Sequence, residues 1–370
     1  MIKYLGSKRR LVPVLGDLLS ASGASSALDV FTGTTRVAQE FKRRGAHVTT
    51  CDLATYSEVL ARCFVETDAA RVDRRELDEA LMYLASLPGR QGYFTETFCV
   101  QSRYFQPFNG ERIDAIRDAI ADEFSGSPLE PLLLTSLLLA ADRVDSTTGV
   151  QMAYLKQWSK RSYLPLELRA PELIEGSGAV HRGDATEVVG RLGSFDLAYL
   201  DPPYNQHRYF TNYHIWETLV RWDRPDHYGV ACKRVDARGD GQRSAYNSRS
   251  TMPGALADLV SRLDAGVVVL SYNDESWLTE EQLVTLLSAW QHVEVLAFDS
   301  RRYIGAQIGI HNPNGEAVGN VSHLSNHELV LVAGPSAIVR RMVVPFEHVR
   351  VDGTSDRVRR GSQAGPAAAR

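Results

Sequence analysis

Short apolar runs and helical periods alternate near the start of the chain. Residues 26–31 form an apolar run that predicts a buried strand, and residues 36–44 place apolar side chains at helical spacing. Gly45 ends that helix, and residues 46–51 predict a second strand, which is followed by a helix over residues 55–66. This order predicts a βαβ unit and, with it, the opening of a doubly wound, mostly parallel sheet of the α/β class.

The pattern becomes mostly helical between residues 68 and 177. Apolar periods predict helices over residues 74–87, 112–124 and 129–144, with few strand candidates among them. We therefore expect a largely helical domain, residues 68–177, inserted into a sheet domain whose first part is residues 1–67.

Strand patterns return after residue 178, and the α/β sheet resumes with them. The predicted strands cover residues 179–181, 195–200, 266–271, 292–298 and 328–333. No helix pattern separates the last two, so we expect an antiparallel hairpin at the edge of the sheet. The second part of the sheet domain covers residues 178–340. A tail follows over residues 341–370, and we expect its small-residue end to be disordered.

The composition is that of a soluble globular protein without a membrane segment. The chain has 370 residues, 44% of them hydrophobic, which suffices for a sizeable core. Its longest apolar stretch, residues 131–141, is too short to span a bilayer, and the first residues lack the apolar core of a secretory signal. The four cysteines have no paired spacing, which predicts neither a disulfide nor a zinc cage and favours a reducing cytoplasm.

The overall charge does not by itself indicate a nucleic-acid binder. With 45 acidic and 41 basic residues the net charge is −4, so contact with DNA would need a local basic patch. One candidate is the basic start of the chain, from Lys3 to Arg10. The other is residues 231–250, where five basic residues oppose two acidic ones among glycines, a mixture typical of a binding loop. The alternative for both is an ordinary solvated surface.

The most specific motif is the tetrapeptide Asp201-Pro202-Pro203-Tyr204, which directly follows the apolar run 195–200. The two prolines restrict the backbone, so they hold Asp201 and the neighbouring carbonyls in one extended shape. A carboxylate and a carbonyl held this way can accept both hydrogens of one exocyclic amino group, while the Tyr204 ring stacks on the base that carries it. The alternative is a strand that ends in a proline turn with a packed tyrosine.

A second candidate site follows the first two predicted strands. Residues 29–35 form a turn with a single glycine, Gly33, and without the lysine of a phosphate-binding loop. Asp29 would repel a phosphate and attract an ammonium group, and Asp52, nineteen residues after Gly33, can take both hydroxyls of a ribose. Asp184, after the third strand, can bind an adenine ring. An adenosine with a cationic tail, such as S-adenosylmethionine, fits these features; the alternative is that Asp52 and Asp184 cap helices.

Taken together, the motifs resemble the Dam-like group of adenine-N6 DNA methyltransferases, in the order of that family and from Lys3 to about Ala333. Residues 4–8 are similar to its N-terminal cofactor motif, and residues 212–219 and 271–274 resemble further family segments. The chain departs from the family at Thr35, where the cofactor loop commonly has a second glycine. The resemblance implies that the catalytic residues are Asp201, Pro202, Pro203 and Tyr204, and that the cofactor-binding residues are Tyr4, Lys8, Asp29, Phe31, Gly33, Asp52, Asp184 and Asp201.

The resemblance also implies a function: site-specific transfer of a methyl group from S-adenosylmethionine, without a metal, to N6 of an adenine flipped out of double-stranded DNA. It further implies target recognition by the helical insertion and a bacterial or phage-type protein in the cytoplasm, at the nucleoid, with a cognate restriction endonuclease as a partner. The predicted DNA contacts are Lys3, Arg103, Lys156, Lys233, Arg234, Arg238 and Arg243. The alternatives are an amino-methyltransferase of the same fold that acts on cytosine, RNA or a protein amide, and a DNA-binding homologue with impaired catalysis.

Overall fold

The computed structural model describes residues 2–4, 8–203, 209–239, 244–273, 276–301, 310–311, 317–319 and 325–351. The chain forms two compact units. The first comprises Met1–Gly16, Ser25–Arg191 and His207–Ser244, and the second comprises Asp17–Ala24, Leu192–Gln206 and Ala245–Arg370. None of the helices in the described ranges combines the length and the hydrophobicity of a membrane span.

Three parallel strands belong to the first unit: β1 (Ser26–Val30), β2 (His47–Asp52) and β3 (Ala179–Arg182). A helix, α1 (Val12–Ser22), precedes β1, and α2 (Arg36–Arg43) connects β1 to β2. β2 is the middle strand and places Cys51 beside Val30 of β1. The βαβ unit predicted from the apolar pattern is therefore present.

Helices make up much of the remainder of the first unit. They are α3 (Thr55–Ala61), α4 (Arg74–Ser86), α5 (Tyr93–Thr95), α6 (Pro107–Glu123), α7 (Glu130–Val144), α8 (Ala185–Val189), α9 (Tyr209–Asn212) and α10 (His214–Arg221). α3 and α5 each continue directly into a π-helical segment, Arg62–Glu66 and Glu96–Val100. Residues 145–178 are irregular apart from a 3₁₀ turn, Lys160–Tyr163. Two short strands, β5 (His227–Tyr228) and β6 (Lys233–Arg234), form an antiparallel hairpin.

The predicted helical region, residues 68–177, shares one hydrophobic core with helices that flank it in sequence. Leu133 and Leu137 of α7 are fully buried in the same cluster as Leu60 of α3 and Trp216 of α10. The three helices predicted in this region are confirmed as α4, α6 and α7, although α6 already begins at Pro107. Proline suits the first turn of a helix, because the N–H that it lacks has no partner there. The helical region therefore packs as part of the first unit, and its independence as a domain stays a prediction.

The second unit holds four longer strands: β4 (Phe195–Leu200), β7 (Ala265–Asn273), β8 (His292–Arg301) and β11 (Ser325–Gly334). It also contains a short antiparallel pair, β9 (Ile310–His311) and β10 (Ala317–Gly319), and the helices α11 (Met252–Arg262), α12 (Glu280–Leu286) and α13 (Ser336–Val343). β4 and β7 are parallel, with Leu200 beside Leu270. β11 runs antiparallel to both β7 and β8, so the predicted antiparallel pair at the end of the sheet is confirmed.

Within the first unit the longer strands are ordered β3-β2-β1, and within the second unit they are ordered β4-β7-β11-β8. The β1–β2, β2–β3 and β4–β7 pairs are parallel, and β11 is antiparallel to both β7 and β8. Helices lie between the parallel strands along the chain, as crossover connections require. The fold class predicted from the sequence, a mostly parallel α/β sheet with helices, is confirmed.

Candidate functional site

The loop after β1 has a backbone conformation that few residue types adopt. Phe31, Gly33 and Thr35 have φ angles of 67°, 52° and 63°. This region favours glycine, and it strains a β-branched residue such as Thr35. Thr35 is fully buried before α2, where its Oγ1 accepts a hydrogen bond of 2.8 Å from Nε2 of Gln39. The chain thus keeps a left-handed backbone where the family loop commonly has its second glycine, and Gln39 holds the side chain that replaces it.

The Asp29 side chain at the end of β1 holds this loop through hydrogen bonds. Its carboxylate is buried, and Oδ2 accepts hydrogen bonds from Oγ1 of Thr32 (2.7 Å) and from the backbone N–H of Ala38 (3.1 Å). One side chain thereby ties the loop to the first turn of α2. The structure gives Asp29 a role in holding the loop, and its direct contact with an ammonium group stays a prediction.

Asp52 lies at the end of β2 and joins the loop after β1 to the start of α3. Its Oδ2 accepts a hydrogen bond from the N–H of Gly33 (2.8 Å), and its Oδ1 accepts one from the N–H of Ala54 (2.9 Å). Burial raises the pKa of Asp52, and these two hydrogen bonds oppose the shift because they stabilise the charged form. The residues predicted as cofactor loop and ribose acid are therefore in direct contact.

Asp184 follows β3 and lies near the same strand end. The N–H of Gly183 donates to the backbone carbonyl of Asp52 (3.0 Å), which places the two loops side by side. The Asp184 side chain caps α8, since its Oδ1 accepts the N–H of Thr186 at 2.9 Å. Of the two sequence interpretations, the helix cap is the one that these bonds support.

Tyr4 lies against Gly33 and within a group of tyrosines. A Cβ at Gly33 would be 3.2 Å from Cε1 of Tyr4, so a side chain there would need the tyrosine ring to shift by a few tenths of an ångström. The Tyr4 ring stacks on Tyr213 at 4.7 Å and on Tyr209 at 5.3 Å between centroids. The Tyr56 hydroxyl donates to the Tyr4 hydroxyl at 3.4 Å. Burial raises the pKa of Tyr4 well above its ordinary value, so the phenol is neutral at physiological pH.

The other residue predicted from the N-terminal motif, Lys8, is buried just before α1. Its backbone carbonyl accepts the N–H groups of Leu11 and Val12, at 2.7 and 2.9 Å. This carbonyl caps the start of the helix. A cofactor contact by the Lys8 side chain stays a prediction.

The cluster around Gly33 suits an adenosine ligand with hydroxyl donors. A carboxylate has roughly four acceptor positions, so Asp52 can take ribose hydroxyls in addition to the N–H groups that fix it. Tyr4 offers an aromatic ring beside a glycine with no side chain, which is the kind of surface on which a base or a sulfonium packs. The residues of the first unit therefore fit S-adenosylmethionine.

Asp201 begins the predicted catalytic tetrapeptide in the second unit, directly after β4. Its Oδ1 accepts a hydrogen bond of 3.0 Å from Oγ of Ser271, which lies on the neighbouring strand β7. The Tyr199 hydroxyl lies 2.8 Å from the same Ser271 oxygen. Pro202 is buried and Pro203 is half-buried. Asp201 is thus held at a strand end by a buried hydroxyl pair. Tyr204 lies outside the described residues, and so does Arg243 of the predicted DNA-binding set.

Two predicted DNA-contacting residues of the helical region adjoin each other. Nη1 of Arg103 donates to the carbonyl of Lys156 at 3.0 Å, and the Arg103 guanidinium lies 4.8 Å from the centroid of the Trp158 ring. Lys156 is exposed. These two predicted DNA-contacting residues are therefore adjacent, and together with Trp158 they present an arginine, a lysine and an indole.

Lys3, in contrast, is bound within the protein. Its Nζ forms ion pairs with Asp142 at 3.0 Å and with the buried Asp145 at 3.3 Å, and its backbone N–H donates to Asp142 at 3.0 Å. Asp145 also binds Arg161. These pairs connect the N-terminal segment to the end of α7, and they compete with the predicted contact between Lys3 and DNA.

The basic residues of the predicted binding loop, in and after the hairpin β5–β6, differ in how far they are buried. Arg234 is 1% exposed, and its guanidinium makes two-pronged hydrogen bonds to Asp223 (2.6 and 2.7 Å) and Asp236 (2.8 and 3.0 Å). This placement corrects the prediction that Arg234 contacts DNA, because a buried guanidinium shared by two carboxylates has no surface to offer. Lys233 is half-buried, and the exposed Arg238 stacks on Tyr228 at 3.5 Å from the ring centroid.

Sequence reasoning missed several residues that support these sites. Ser271 and Glu217 lie in segments that resemble the family, but neither was given a role. Ser57, whose hydroxyl donates to the Gly33 carbonyl, had no sequence signal. Glu217 is buried, and its carboxylate accepts the N–H groups of Thr55 and Tyr56. Among the described residues, no group of three or more His, Cys, Asp or Glu side chains is placed to hold a metal ion.

Comparison with known proteins identifies similar sequences over most of the chain. A model of D12 class N6 adenine-specific DNA methyltransferases matches residues 4–286. The type II methyltransferase M.NlaIII of Neisseria lactamica is 30% identical over 318 residues, which cover 82% of this chain and 92% of that protein. Type II methyltransferase M.CviAII of Paramecium bursaria Chlorella virus 1 is 28% identical over 340 residues, covering 86% and 95%. Modification methylase StsI of Streptococcus sanguinis is 29% identical over 304 residues, covering 77% of this chain and 46% of StsI.

Proposed function

The chain belongs to the D12 class N6 adenine-specific DNA methyltransferase family, and from this membership we propose how its residues divide the reaction. It is an S-adenosylmethionine-dependent transferase that methylates adenine in DNA. The alternative substrates considered from the sequence, which were cytosine, RNA and a protein amide, are therefore set aside. We propose that Asp201 and Pro202 bind the adenine amino group, and that Tyr4, Gly33 and Asp52 hold the cofactor.

The hydrogen bond from Ser271 to Asp201 carries the proposal for the acceptor side. Because Oδ1 is fixed by Ser271, the carboxylate of Asp201 keeps one orientation, and its other oxygen is directed by the same bond. Asp201 and the Pro202 carbonyl would each accept one amino hydrogen of the adenine. The amino nitrogen is then drawn towards tetrahedral geometry, so that its lone pair is no longer delocalised into the ring and can attack the methyl carbon. The bond from that carbon to the sulfonium sulfur breaks, and the methylated nitrogen then loses one proton. Positioning and electrostatic stabilisation supply the rate, without a strong base beforehand.

On the donor side, the residues of the first unit bind and orient. When bound, S-adenosylmethionine supplies a methyl group on a sulfonium, which is electrophilic. Asp52 would take the ribose hydroxyls, and the Tyr4 ring would lie against the ligand beside Gly33. Hydrogen bonds within the protein join Gly33, Asp52 and Ala54, and these bonds would support the proposed cofactor contacts.

For DNA, we propose that the surface of Arg103, Lys156 and Trp158 contacts the duplex around the target, together with Lys233 and Arg238 of the hairpin. The target adenine must leave the stack, because its N6 is inaccessible inside a duplex. We retain Tyr204 as the residue that stacks on the flipped base.

The test is methyl transfer by Asp201 variants. With labelled S-adenosylmethionine and duplex DNA, Asp201→Ala should lose transfer by more than about a hundredfold, as expected for a group that positions the reacting nitrogen. Asp264→Ala, at an exposed aspartate of the same unit, is the matched control and should act like wild type. Analysis of the nucleosides should show N6-methyladenine. Wild-type transfer by Asp201→Ala would exclude the proposed acceptor.

We also propose a partner and a cellular setting. Several relatives are named type II methyltransferases or modification methylases, which favours a chain that protects host DNA at the nucleoid from a cognate restriction endonuclease. Sequencing that detects modified bases, applied to DNA from cells that express the chain, would give the methylated motif. Resistance of that DNA to an endonuclease of the same motif supports the pairing, and full cleavage contradicts it.

A further inference from the structure

Helix α3 carries the residues that hold the proposed cofactor site, but its own N-cap residue provides no cap. The N-cap is Ala54, which has an extended backbone (φ −79°, ψ 137°) and no side chain that could accept a hydrogen bond. The first N–H groups of a helix need acceptors from outside the helix, and buried ones left unpaired are costly. Another part of the chain must therefore supply these acceptors.

Glu217 of α10 supplies them. Its Oε2 accepts the N–H of Thr55 at 3.0 Å and that of Tyr56 at 3.3 Å. The side chain is 3% exposed, and its ion-pair partner Arg221 is 4.0 Å away. Burial raises the pKa of Glu217, while the hydrogen bonds to α3 oppose the shift. A carboxylate at a helix N-terminus is also favoured by the helix dipole.

The same turn of α3 is connected to three residues of the proposed cofactor site. The N–H of Ala54 binds Asp52, the Ser57 hydroxyl binds the carbonyl of Gly33, and the Tyr56 hydroxyl binds that of Tyr4. A shift of this turn would therefore move the ribose acid, the glycine and the aromatic ring together.

Helix α10 supports the site at a second point. Tyr213, the residue just before α10, stacks on Tyr4 with an interplanar angle of 15°. The helix that carries Glu217 thus contacts both the start of α3 and the ring beside Gly33. The segment from residue 212 to 219, which resembles the family but had no assigned role, gains one from these contacts.

We propose that Glu217 is a positioning residue for cofactor binding: it holds the first turn of α3, and through that turn it fixes Asp52, Gly33 and Tyr4 in their binding geometry. This inference rests on the proposed function of those three residues. Glu217 has no proposed contact with the cofactor or the DNA. Its loss should weaken cofactor binding while leaving DNA binding and the chemical step largely intact.

The first measurement is a calorimetric titration with S-adenosylhomocysteine, the unreactive product, which needs no turnover. Glu217→Ala should raise the dissociation constant about three- to tenfold, the range that loss of a helix cap implies. Glu217→Gln keeps one oxygen acceptor and should show a smaller increase. In steady-state assays KM for S-adenosylmethionine should rise with kcat nearly unchanged. The affinity for duplex DNA should stay within about twofold of wild type. Glu281→Ala, at an exposed glutamate of α12, is the control.

The decisive variant restores the cap from α3 itself. Position 54 has the backbone conformation of an N-cap, so a serine there can accept the N–H of Tyr56 or Ser57. The double variant Ala54→Ser with Glu217→Ala should recover most of the lost affinity for the cofactor. If Glu217→Ala leaves cofactor affinity unchanged, or weakens DNA and cofactor binding equally without rescue, the inference is wrong.

Asp52→Ala separates this inference from the function on which it rests. Loss of cofactor binding in Asp52→Ala, with normal binding in Glu217→Ala, overturns the role of Glu217 alone. Normal cofactor binding in Asp52→Ala overturns the proposed cofactor site, whatever Glu217 does. Glu217→Gln keeps the comparison valid should the alanine variant fold poorly, because the amide is nearly the same shape as the carboxylate.

Discussion

Replacing Arg234 with methionine should lower the free energy of unfolding but leave the salt dependence of DNA binding unchanged. The guanidinium is buried and shared by Asp223 and Asp236, and Nη1 also lies 3.3 Å from the Thr218 hydroxyl. Breaking a buried ion pair by removing one partner costs about 3–5 kcal/mol. The side chains of Asp223 and Asp236 are 30% and 38% exposed, so water can rehydrate them in the variant. We therefore expect a loss about 1 kcal/mol smaller than this range, about 2–4 kcal/mol.

Urea unfolding at neutral pH measures this loss, and Arg238→Met provides the matched control on the same segment. Arg238 is exposed, and its stacking on Tyr228 is worth about 0.5–1 kcal/mol. In DNA binding the order should reverse. Arg238→Met should reduce the slope of log affinity against log salt by about 0.9, the value for one phosphate contact, while Arg234→Met should leave the slope unchanged. An Arg234→Met protein of full stability with a reduced salt slope would refute the assignment of Arg234 to the fold.

Three further results are expected. Burial lowers the pKa of His214 from an ordinary 6.5 to about 3. Below pH 6.5 the imidazole therefore becomes protonated in the unfolded chain but stays neutral in the folded protein, so the folded state loses stability as the pH falls. Relative to His214→Gln, the wild type should lose about 1.4 kcal/mol of unfolding free energy per pH unit below 6.5, and a constant difference would contradict it. The free energy of unfolding of Thr35→Gly should be within about 1 kcal/mol of the wild-type value, because glycine relieves the strain of the positive φ and this offsets the lost hydrogen bond to Gln39. Thr35→Val should be less stable, because valine keeps the strain and loses the hydrogen bond. Thr35→Val as the more stable of the two would reverse this account. Trp158→Ala should weaken DNA binding about two- to fivefold, because it removes the ring on which the Arg103 guanidinium packs. Cofactor affinity should not change in this variant. If the variant binds DNA as tightly as the wild type, the DNA contact lies elsewhere.

The strands and most helices were predictable because their signal is local. Apolar periods located β1, β2 and β4 within a residue or so, and the lack of a helix pattern before β11 indicated an antiparallel neighbour. The end of α3 was not predictable. The sequence shows one helix over residues 55–66, whereas the structure changes to a π-helical segment at Arg62, and periodicity does not distinguish the two.

The candidate site was predictable where one motif carries its own chemistry, as Asp201 and Asp52 do. It was not predictable where a partner comes from a distant segment. Ser271 meets Asp201 because β4 and β7 pair, and Glu217 meets α3 through packing of α10. The charge of Arg234 indicated a surface, but charge alone does not reveal that Asp223 and Asp236 enclose it.

The capping of α3 by Glu217, in place of a side chain at Ala54, has a consequence for the evolution of the family. In this chain the carboxylate at position 217 supplies the acceptor, and from the inference above we expect that a polar side chain at position 54 could replace it. We therefore expect the residues at these two positions to change together, although the positions lie far apart in the sequence. In homologous sequences we expect loss of the acid at 217 to coincide with Ser, Thr, Asp or Asn at 54, so that each lineage inherits one solution to the same structural need.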